Sequence, residues 1–390
     1  MNTFTMRIVA LVFLSIATST QALATSTGID VGISGLISGG ASTVNQDNLA
    51  SLQSGGHDPN RNGFSIQNVE LTLSGSVDPF FDAQTNLIFL INEEGETVVE
   101  LEEAFLLSTA LPLGLQIKAG QFFTEFGRQN VQHPHSWQFV DQPVILSRLF
   151  GGDGLRSQGG RISWLSNLPW YSEFQFSIQN ASGETAKSFL SAPGEEIGGF
   201  TLLEYEARSI YDFMSHTSWK NGFDLNNTTS ANLGLSYLNG PNSSGENTRT
   251  KIRGADLFVK WQAVRSQKGF PFIAVHTEYL HREYQALDKQ NPLHATLDDY
   301  GMFSSLSIGY KPGWIAGFRY GYANSNTADT TDTERSKRTR FSSNLTWHPS
   351  EFSKIRLQHN LDQTPYIEKT AHSIWVQFEF NLGKHMAHTF

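Results

Sequence analysis

The strongest constraint on the fold of this chain is a regular alternation of apolar and polar residues near its end. Every second residue there is apolar, in the series Ile374, Val376, Phe378, Phe380 and Leu382. The residues between them are Trp375, Gln377, Glu379 and Asn381. Successive side chains of a β-strand point to opposite faces, so this pattern predicts a strand with one apolar face and one face in water.

Both ends of the chain favour an exported membrane protein over a soluble sandwich with an amphipathic last strand. The chain closes on Phe390, and a terminal aromatic residue after such a strand is typical of bacterial outer-membrane β-barrels. At the other end, Arg7 precedes a short apolar stretch, and Ala22-Leu23-Ala24 fits a signal-peptide cleavage site. We therefore expect residues 1–24 to be a cleaved signal peptide.

Composition limits how such a protein can cross a membrane. The apolar part of the signal is shorter than the ~20 residues that a spanning helix needs, and no later segment is long enough either. The mean hydropathy of -0.30 is also too low for a helical membrane protein. The chain has no cysteine, so disulfides are excluded, and its net charge of -9 argues against nucleic-acid binding.

Connections of two lengths alternate along the chain. Short turns are predicted at 77–80, 111–114, 167–169, 311–313 and 348–350. Longer polar stretches are predicted at 40–62, 124–158, 181–206, 239–250, 285–298, 324–334 and 362–370. Outer-membrane barrels have short periplasmic turns and longer extracellular loops. The sequence therefore predicts an all-β fold, a single-domain antiparallel transmembrane β-barrel of about 16 strands over residues 25–390.

Several segments resemble one family of membrane barrels. The residues Ala119 to Gly127, AGQFFTEFG, resemble the strand-to-loop step of the phosphate-selective porin superfamily. A closer likeness is to its branch of uncharacterised outer-membrane proteins that are often labelled TonB-dependent receptors and are sometimes associated with zinc regulation. That likeness is carried by residues 100–105, 133–141, 349–358 and 385–390. The resemblance implies a porin-like barrel; the 366 residues left after removal of 24 from 390 cannot hold both a plug and a 22-stranded barrel.

Charged residues on the inward parity of the strands are the candidate pore lining. The predicted bases are Lys118, Arg161, Lys260, Arg319, Arg338, Arg340, Lys354 and Arg356. The predicted acids are Glu70, Glu100, Glu102, Asp256 and Glu278. These charges either keep the lumen hydrated or form an anion pathway. We expect the bases on late strands to face the acids across the lumen, which predicts weak ion selectivity.

The segment 124–158 is the candidate constriction loop, because in the resembled porins the corresponding loop folds into the barrel. Its polar and aromatic candidates are Arg128, His133, His135, Trp137, Asp141 and Arg148. His133, His135 and Asp141 also form a candidate zinc site, since imidazole and carboxylate are zinc ligands. The alternative is that the two histidines have structural or hydrogen-bonding roles.

The sequence favours a porin-like channel for passive diffusion of small hydrophilic solutes or ions across the outer membrane. The alternative function is an outer-membrane receptor without a plug, linked to zinc acquisition. No catalytic motif or glycine-rich phosphate loop occurs, so we expect neither enzymatic activity nor a cofactor. Outer-membrane lipid is the expected environment, and analogy with general porins suggests a homotrimer.

Overall fold

The structure is a computed structural model that describes residues 28–91, 95–190, 194, 196–205, 209–287, 294–326 and 332–383. The predicted signal peptide, residues 1–24, lies outside these ranges. So do the closing residues His385, His388 and Phe390. The predictions made for both ends of the chain therefore stay predictions.

Strands account for most of the described chain. In chain order they are β1 (Asp30–Ser42), β2 (Gly63–Asp78), β3 (Phe81–Ile91), β4 (Thr97–Ser108), β5 (Leu115–Phe123), β6 (Arg156–Leu165), β7 (Tyr171–Asn180), β8 (Glu196–Ile197), β9 (Phe200–Thr201), β10 (Phe213–Asn226), β11 (Thr229–Pro241), β12 (Arg249–Gln267), β13 (Phe270–Leu287), β14 (His294–Lys311), β15 (Trp314–Ser325), β16 (Arg338–Ser350), β17 (Ser353–Gln363) and β18 (Ala371–Gly383). All but β8 and β9 join one closed barrel of sixteen strands.

The barrel is antiparallel throughout, and each strand pairs with the next along the chain. β1 closes it by pairing with β18, where Gly35 lies opposite Phe380 and Gly39 opposite Val376. β8 and β9 form a separate two-stranded hairpin. The predicted fold class and the predicted strand number are confirmed. Closure leaves the barrel with no unpaired strand edge, so its backbone is satisfied without water.

Helical segments are short and lie in the loops. The α-helices are α1 (Gln46–Leu52) and α2 (Val144–Phe150), and the 3-10 turns span Pro112–Gly114, Pro134–Ser136, Ile210–Asp212 and Thr333–Arg335. No helix in the described part of the chain is long and apolar enough to cross a membrane.

The connections are sorted by length between the two ends of the barrel. The turn end carries residues 79–80, 109–114, 166–170, 227–228, 268–269, 312–313 and 351–352. The loop end carries the longer segments, including 43–62, 124–155, 181–212, 326–337 and 364–370. The turn predicted at 348–350 is displaced, since these residues still belong to β16. The loop-end connection between β3 and β4 is also short.

The outer wall of the barrel is an exposed apolar belt. Outward side chains of the strands remain between a third and a half exposed, as with Phe174, Leu257, Phe318, Leu345 and Phe378. Rings gather beside the turn end, where Trp314 stacks on Trp347 with ring centroids 5.8 Å apart. An apolar belt bordered by aromatic side chains is the surface that a barrel presents to lipid.

The interior is divided into two halves of opposite character. Toward the turn end it is polar, as the strand alternation predicts. Toward the loop end, inward residues of five strands are apolar and join one buried cluster with α2: Met214, Leu238, Ile252, Leu280 and Phe303. The expectation that inward positions are polar is wrong in this half. The reason is that a loop fills the lumen there and excludes water.

We expect the belt to tolerate arginine only outside its middle. Leu345 lies on the outer face of β16 and is 41% exposed, so Leu345→Arg should destabilise the folded barrel by about 2–4 kcal/mol in a bilayer. The control is Val264→Arg near the 268–269 turn, where the native side chain is 80% exposed and the cost should be at most about 1 kcal/mol. Urea unfolding from phospholipid vesicles measures both, and equal losses would contradict the assignment of the belt.

Candidate functional site

The segment between β5 and β6, residues 124–155, lies inside the barrel, and we call it the lumen loop. Its first turn is bound to the far wall. The backbone N–H groups of Arg128 and Gln129 donate to Glu278 of β13, at 2.9 and 2.7 Å. Phe126 packs directly over Gly254 of β12, where a β-carbon would come within 2.4 Å of the ring. The wall is therefore shaped to receive this loop.

A buried ion network holds the last part of the lumen loop. Asp141 is almost fully buried and forms ion pairs with Arg319 of β15 and with Arg340 of β16, the latter at 3.0 Å. Asn360 donates to the same carboxylate at 2.6 Å. Burial alone would raise the pKa of Asp141, but the two guanidinium groups outweigh it and hold the pKa at about 2. The carboxylate is therefore ionised at neutral pH.

This position of Asp141 makes the predicted zinc site wrong. His133 and His135 contact carboxylates of β2 and β4, whereas Asp141 is engaged by arginines of β15 and β16. A carboxylate already neutralised by two buried guanidinium groups is a poor ligand for a further cation. The set of His133, His135 and Asp141 does not come together on one ion.

The basic residues of the late strands mainly form hydrogen bonds and ion pairs with the loops and with neighbouring strands. Arg338 and Arg340 share Asp362 and also donate to the carbonyl of Leu52. Arg356 donates to the carbonyl of Trp137 at 2.8 Å. Lys354 pairs with Glu379 and donates to the carbonyl of His135 at 3.0 Å.

The expected opposition of these bases to the early acids is wrong for Glu70 on β2, whereas Glu100 and Glu102 on β4 lie farther round the barrel from β15–β17. Only β1 and β18 separate β2 from β17, because the barrel closes through the β1–β18 pair. Glu70 on β2 therefore lies close to Lys354 and Arg356 of β17 on the wall, not across the lumen from them. Sequence order hides this closeness, since β2 and β17 are far apart along the chain.

Two histidines and three glutamates form what we call the His–Glu cluster: Glu70, Glu102, Glu103, His133 and His135. Nδ1 of His133 lies 2.7 Å from Glu102 and 3.2 Å from Glu70, and its Nε2 lies 3.1 Å from Glu103. Nδ1 of His135 lies 2.8 Å from Glu70. Burial alone would lower the pKa of His133, but the surrounding carboxylates outweigh it and raise the pKa well above its ordinary value.

Glu103 is a member that the sequence pattern missed, because strict alternation places it on the outer face. The pairing of β3 with β4 shifts by one residue between Asn86 and Leu87, so Glu102 is the extra residue of a β-bulge. A bulge re-aims the side chains beside it. Both Glu102 and Glu103 consequently point inward and are buried.

A second missed residue, Glu125, lies at the start of the lumen loop. Its carboxylate is shared by Arg161 of β6, by Lys118 of β5 and by Lys220 of β10, with both lysines at 3.3 Å. Burial would raise the pKa of Glu125, but the three cations outweigh it and hold the pKa far below its ordinary value. Lys220 was also missed, although it lies on the inward parity of its strand.

The remaining candidates are spread over the lumen. Arg128 lies 4.0 Å above the ring centre of Phe258, and Lys260 lies 5.3 Å from that of Phe272. Asp256 lines the same cavity as Arg128, and Glu100 pairs with Arg156. The indole of Trp137 donates to the carbonyl of Gln132 at 2.8 Å. Arg148 of α2 donates to the backbone carbonyls of Arg335 and Ser336.

Polar cavities lie on both sides of the lumen loop. The turn-side cavity has two lobes of about 650 and 190 Å³ that share Arg128, Gln132 and His135. The loop-side cavity holds about 1210 Å³. Between them is a gap of about 10 Å³, which shares Gln132 with the first and Asp153 with the second. His57 and Glu102 are among its other polar lining residues. We call this gap the narrow passage.

Comparison with known proteins agrees with this architecture. An uncharacterised protein of Aquifex aeolicus is 29% identical over 362 residues, which cover 86% of this chain and 73% of that protein. No family model matches the chain.

Among solved structures, the outer membrane channel DcaP of Acinetobacter baumannii superposes with a TM-score of 0.59 at 8% identity, over 93% of this chain and all of that one. An anion-selective porin from Comamonas acidovorans gives 0.55 at 8% identity, over 92% of this chain and all of that one. The fold is that of a porin. Assignment to the phosphate-selective superfamily or to its TonB-labelled branch stays a prediction.

We expect Asp141→Asn to loosen the lumen loop. The substitution leaves Arg319 and Arg340 buried with less compensating charge, which should cost about 3–5 kcal/mol of folding free energy. Urea unfolding in detergent micelles measures this loss, and faster proteolysis within 124–155 should accompany it. Asp153→Asn is the control on the same loop, because the carboxylate of Asp153 makes a long contact of 3.7 Å with His57 rather than two ion pairs with buried arginines.

The pH dependence of that loss has a defined sign. The pKa of Asp141 is lower in the folded protein than in an unfolded chain, so its stabilisation is present above about pH 4 and is lost as the pH falls toward 2. The difference between wild type and Asp141→Asn should therefore stay constant from about pH 5 to about pH 8. A difference that vanishes by about pH 5 would contradict the lowered pKa.

Proposed function

We propose that this protein is an outer-membrane channel through which small hydrophilic solutes or ions move passively. The observation that carries the proposal is that polar cavities lie on both sides of the lumen loop and that the narrow passage shares lining residues with each of them, Gln132 on one side and Asp153 on the other. An apolar belt outside and a polar route inside are the two requirements of a membrane pore. The narrow passage admits about one water molecule, so larger solutes require side chains of the lumen loop to move.

The likeness to porins supports the location and the assembly that we propose. The apolar belt and the aromatic rings at the turn end suit a bacterial outer membrane, with lipid as the partner of the outer wall. OmpT of Vibrio cholerae, solved in a trimer form, superposes with a TM-score of 0.54 at 8% identity, over 92% of this chain and all of that one. We extend the homotrimer to this chain as a proposal.

The alternative function, a receptor for zinc acquisition, has less support. It depended on His133, His135 and Asp141 as one ligand set, and Asp141 is bound elsewhere. The channel therefore remains the better proposal.

Gln132 should limit the flow through the channel, because its side chain borders both turn-side lobes and the narrow passage. Gln132→Ala removes four heavy atoms from this point and should raise single-channel conductance several-fold in planar bilayers. The control is Gln84→Ala, the same truncation in the wide part of the turn-side cavity, which should leave conductance unchanged. A wild type and a Gln132→Ala variant that both show no channel events would overturn the proposed function.

Ion selectivity should respond to the charge of Glu125. Glu125→Gln leaves Lys118, Arg161 and Lys220 without their shared carboxylate. The reversal potential in a salt gradient should then shift toward chloride, and more so at low ionic strength, where screening is weaker. Glu283→Gln is the matched control. Glu283 pairs with Arg253 on the outer face, and the substitution makes the same change in net charge as Glu125→Gln does. An equal shift in both variants would show that the lumen position of Glu125 is irrelevant.

A further inference from the structure

Three members of the His–Glu cluster converge in the manner of a metal site. One oxygen of Glu70, one oxygen of Glu102 and Nδ1 of His133 all lie within 4.8 Å of one another. The separations from Nδ1 are 3.2 Å to Glu70 and 2.7 Å to Glu102. Ligands about 2.1 Å from a common ion lie roughly 3.3 Å from each other, so small shifts would accommodate one. The two carboxylates are about 1% exposed, and the imidazole is 14% exposed.

The contacts behind these three groups orient them as ligands. Nε2–H of His133 points to Glu103, which itself accepts the backbone N–H of Phe123 at 3.0 Å. A carboxylate behind the imidazole fixes the tautomer whose other nitrogen carries the lone pair, the usual arrangement around metal-binding histidines. The carboxylate of Glu70 is likewise held, since Asn86 donates to it at 2.6 Å.

Glu102 provides an independent observation that points to a ligand. Its side chain is buried, and neither oxygen has a well-aligned hydrogen bond in the described part of the chain, although Nδ1 of His133 lies 2.7 Å from one of them. The closest guanidinium nitrogen, Nη1 of Arg156, is 3.9 Å away, and Nδ1 of His133 is near but not aligned for a hydrogen bond. A buried carboxylate without hydrogen bonds is costly. The β-bulge of β4 points this carboxylate into the cluster.

We propose that Glu70, Glu102 and His133 bind one divalent transition-metal cation, with Glu103 as the positioning residue behind the imidazole. One imidazole nitrogen and two carboxylate oxygens suit Zn²⁺, Co²⁺ or Mn²⁺ better than they suit the hard ion Mg²⁺ or a thiophilic ion such as Cu⁺. Three protein ligands leave coordination positions for water from the turn-side cavity, which His133 lines.

The position of this site in the lumen would place a bound ion beside the narrow passage. Glu102 lines the narrow passage, and Glu70 and His133 line the turn-side cavity directly below it. A bound dication would therefore stand at the turn-side mouth of the passage and place positive charge beside it. Binding itself does not require that the protein conducts, so it is measured separately from the proposed channel function.

Titration of the folded full-length protein with Co²⁺ in detergent micelles tests the proposal. We expect one equivalent to bind per chain, with visible d–d absorption bands, and Zn²⁺ to displace it in calorimetry. Mg²⁺ at the same concentration should not compete. Glu102→Gln should weaken binding at least tenfold, and it should still fold because glutamine has nearly the same shape and Glu70 and Glu103 continue to contact His133. Heat-modifiable migration on a gel verifies that each variant is folded.

Glu103→Gln tests the positioning role. A glutamine amide would donate toward Nε2 and force the proton onto Nδ1, which then cannot bind the ion. Affinity should fall about 10- to 100-fold, the usual effect of losing such a partner. Asp256→Asn is the matched control, since it removes a carboxylate from the same cavity outside the cluster, and it should bind as wild type does.

The exposed pair of His359 and His372 is an alternative site at which Co²⁺ could bind in this titration. Their ring nitrogens are 3.3 Å apart near the loop end, which could hold an adventitious ion. His359→Asn should leave the Co²⁺ spectrum and affinity unchanged. Loss of binding in His359→Asn, unchanged binding in Glu102→Gln, or no binding by the folded wild type would each overturn the proposal.

Discussion

The buried ion network around Asp141 is the interaction on which the interior of this barrel depends. Closure of the barrel satisfies the backbone hydrogen bonds of its strands, but closure alone does not determine which segment of the chain fills the lumen. Asp141 places the lumen loop there, because its ion pairs with Arg319 and Arg340 join the loop to β15 and β16. Buried ion pairs contribute modest net stability but penalise the loss of either partner heavily. The network therefore specifies one position of the loop.

The division of the lumen follows from that position. With the loop held against β15 and β16, α2 lies among inward apolar side chains of the loop end, such as Leu238, Ile252 and Phe303. The turn end receives no such cover, so its inward residues stay polar and hydrated. In the loop-end half, apolar side chains thus pack around α2 and a cavity of about 1210 Å³ lies beside the lumen loop, whereas the turn-end half contains the lobes of about 650 and 190 Å³. The narrow passage, which Glu102 of β4 lines, shares lining residues with the cavities on both sides of the lumen loop.

The alternation of apolar and polar residues and the spacing of the predicted turns were sufficient to predict the strands of the barrel wall. Alternation along each strand depends only on which face meets lipid, and turn chemistry depends on a few local residues, so both are visible without tertiary information. The interior was harder, because its contacts join residues far apart in sequence. Asp141 meets Arg340 across 199 positions, and no periodic signal marks that pairing.

Two further errors have different causes, one local and one a property of the whole sheet. Strict alternation along β4 placed Glu103 on the outer face, but a single β-bulge turns its side chain inward. The closeness of β2 to β17 follows from barrel closure, a property of the whole sheet that no single strand contains. The role of the candidate charges as a pore lining therefore stays a prediction, and their partners within the lumen were not predicted.

The His–Glu cluster shows why partners matter more than positions. Glu70, Glu102 and Glu103 converge in a buried volume, where their carboxylates repel each other and nearby positive charge stabilises the cluster. The lumen loop delivers that charge through His133, in the same chain segment that Asp141 anchors on the opposite side. A proton on Nδ1 and a metal ion at Nδ1 are alternative ways to meet this demand. The wall of β2 and β4 thus requires a cation that only the folded loop can position, so the site and the constriction form together or not at all.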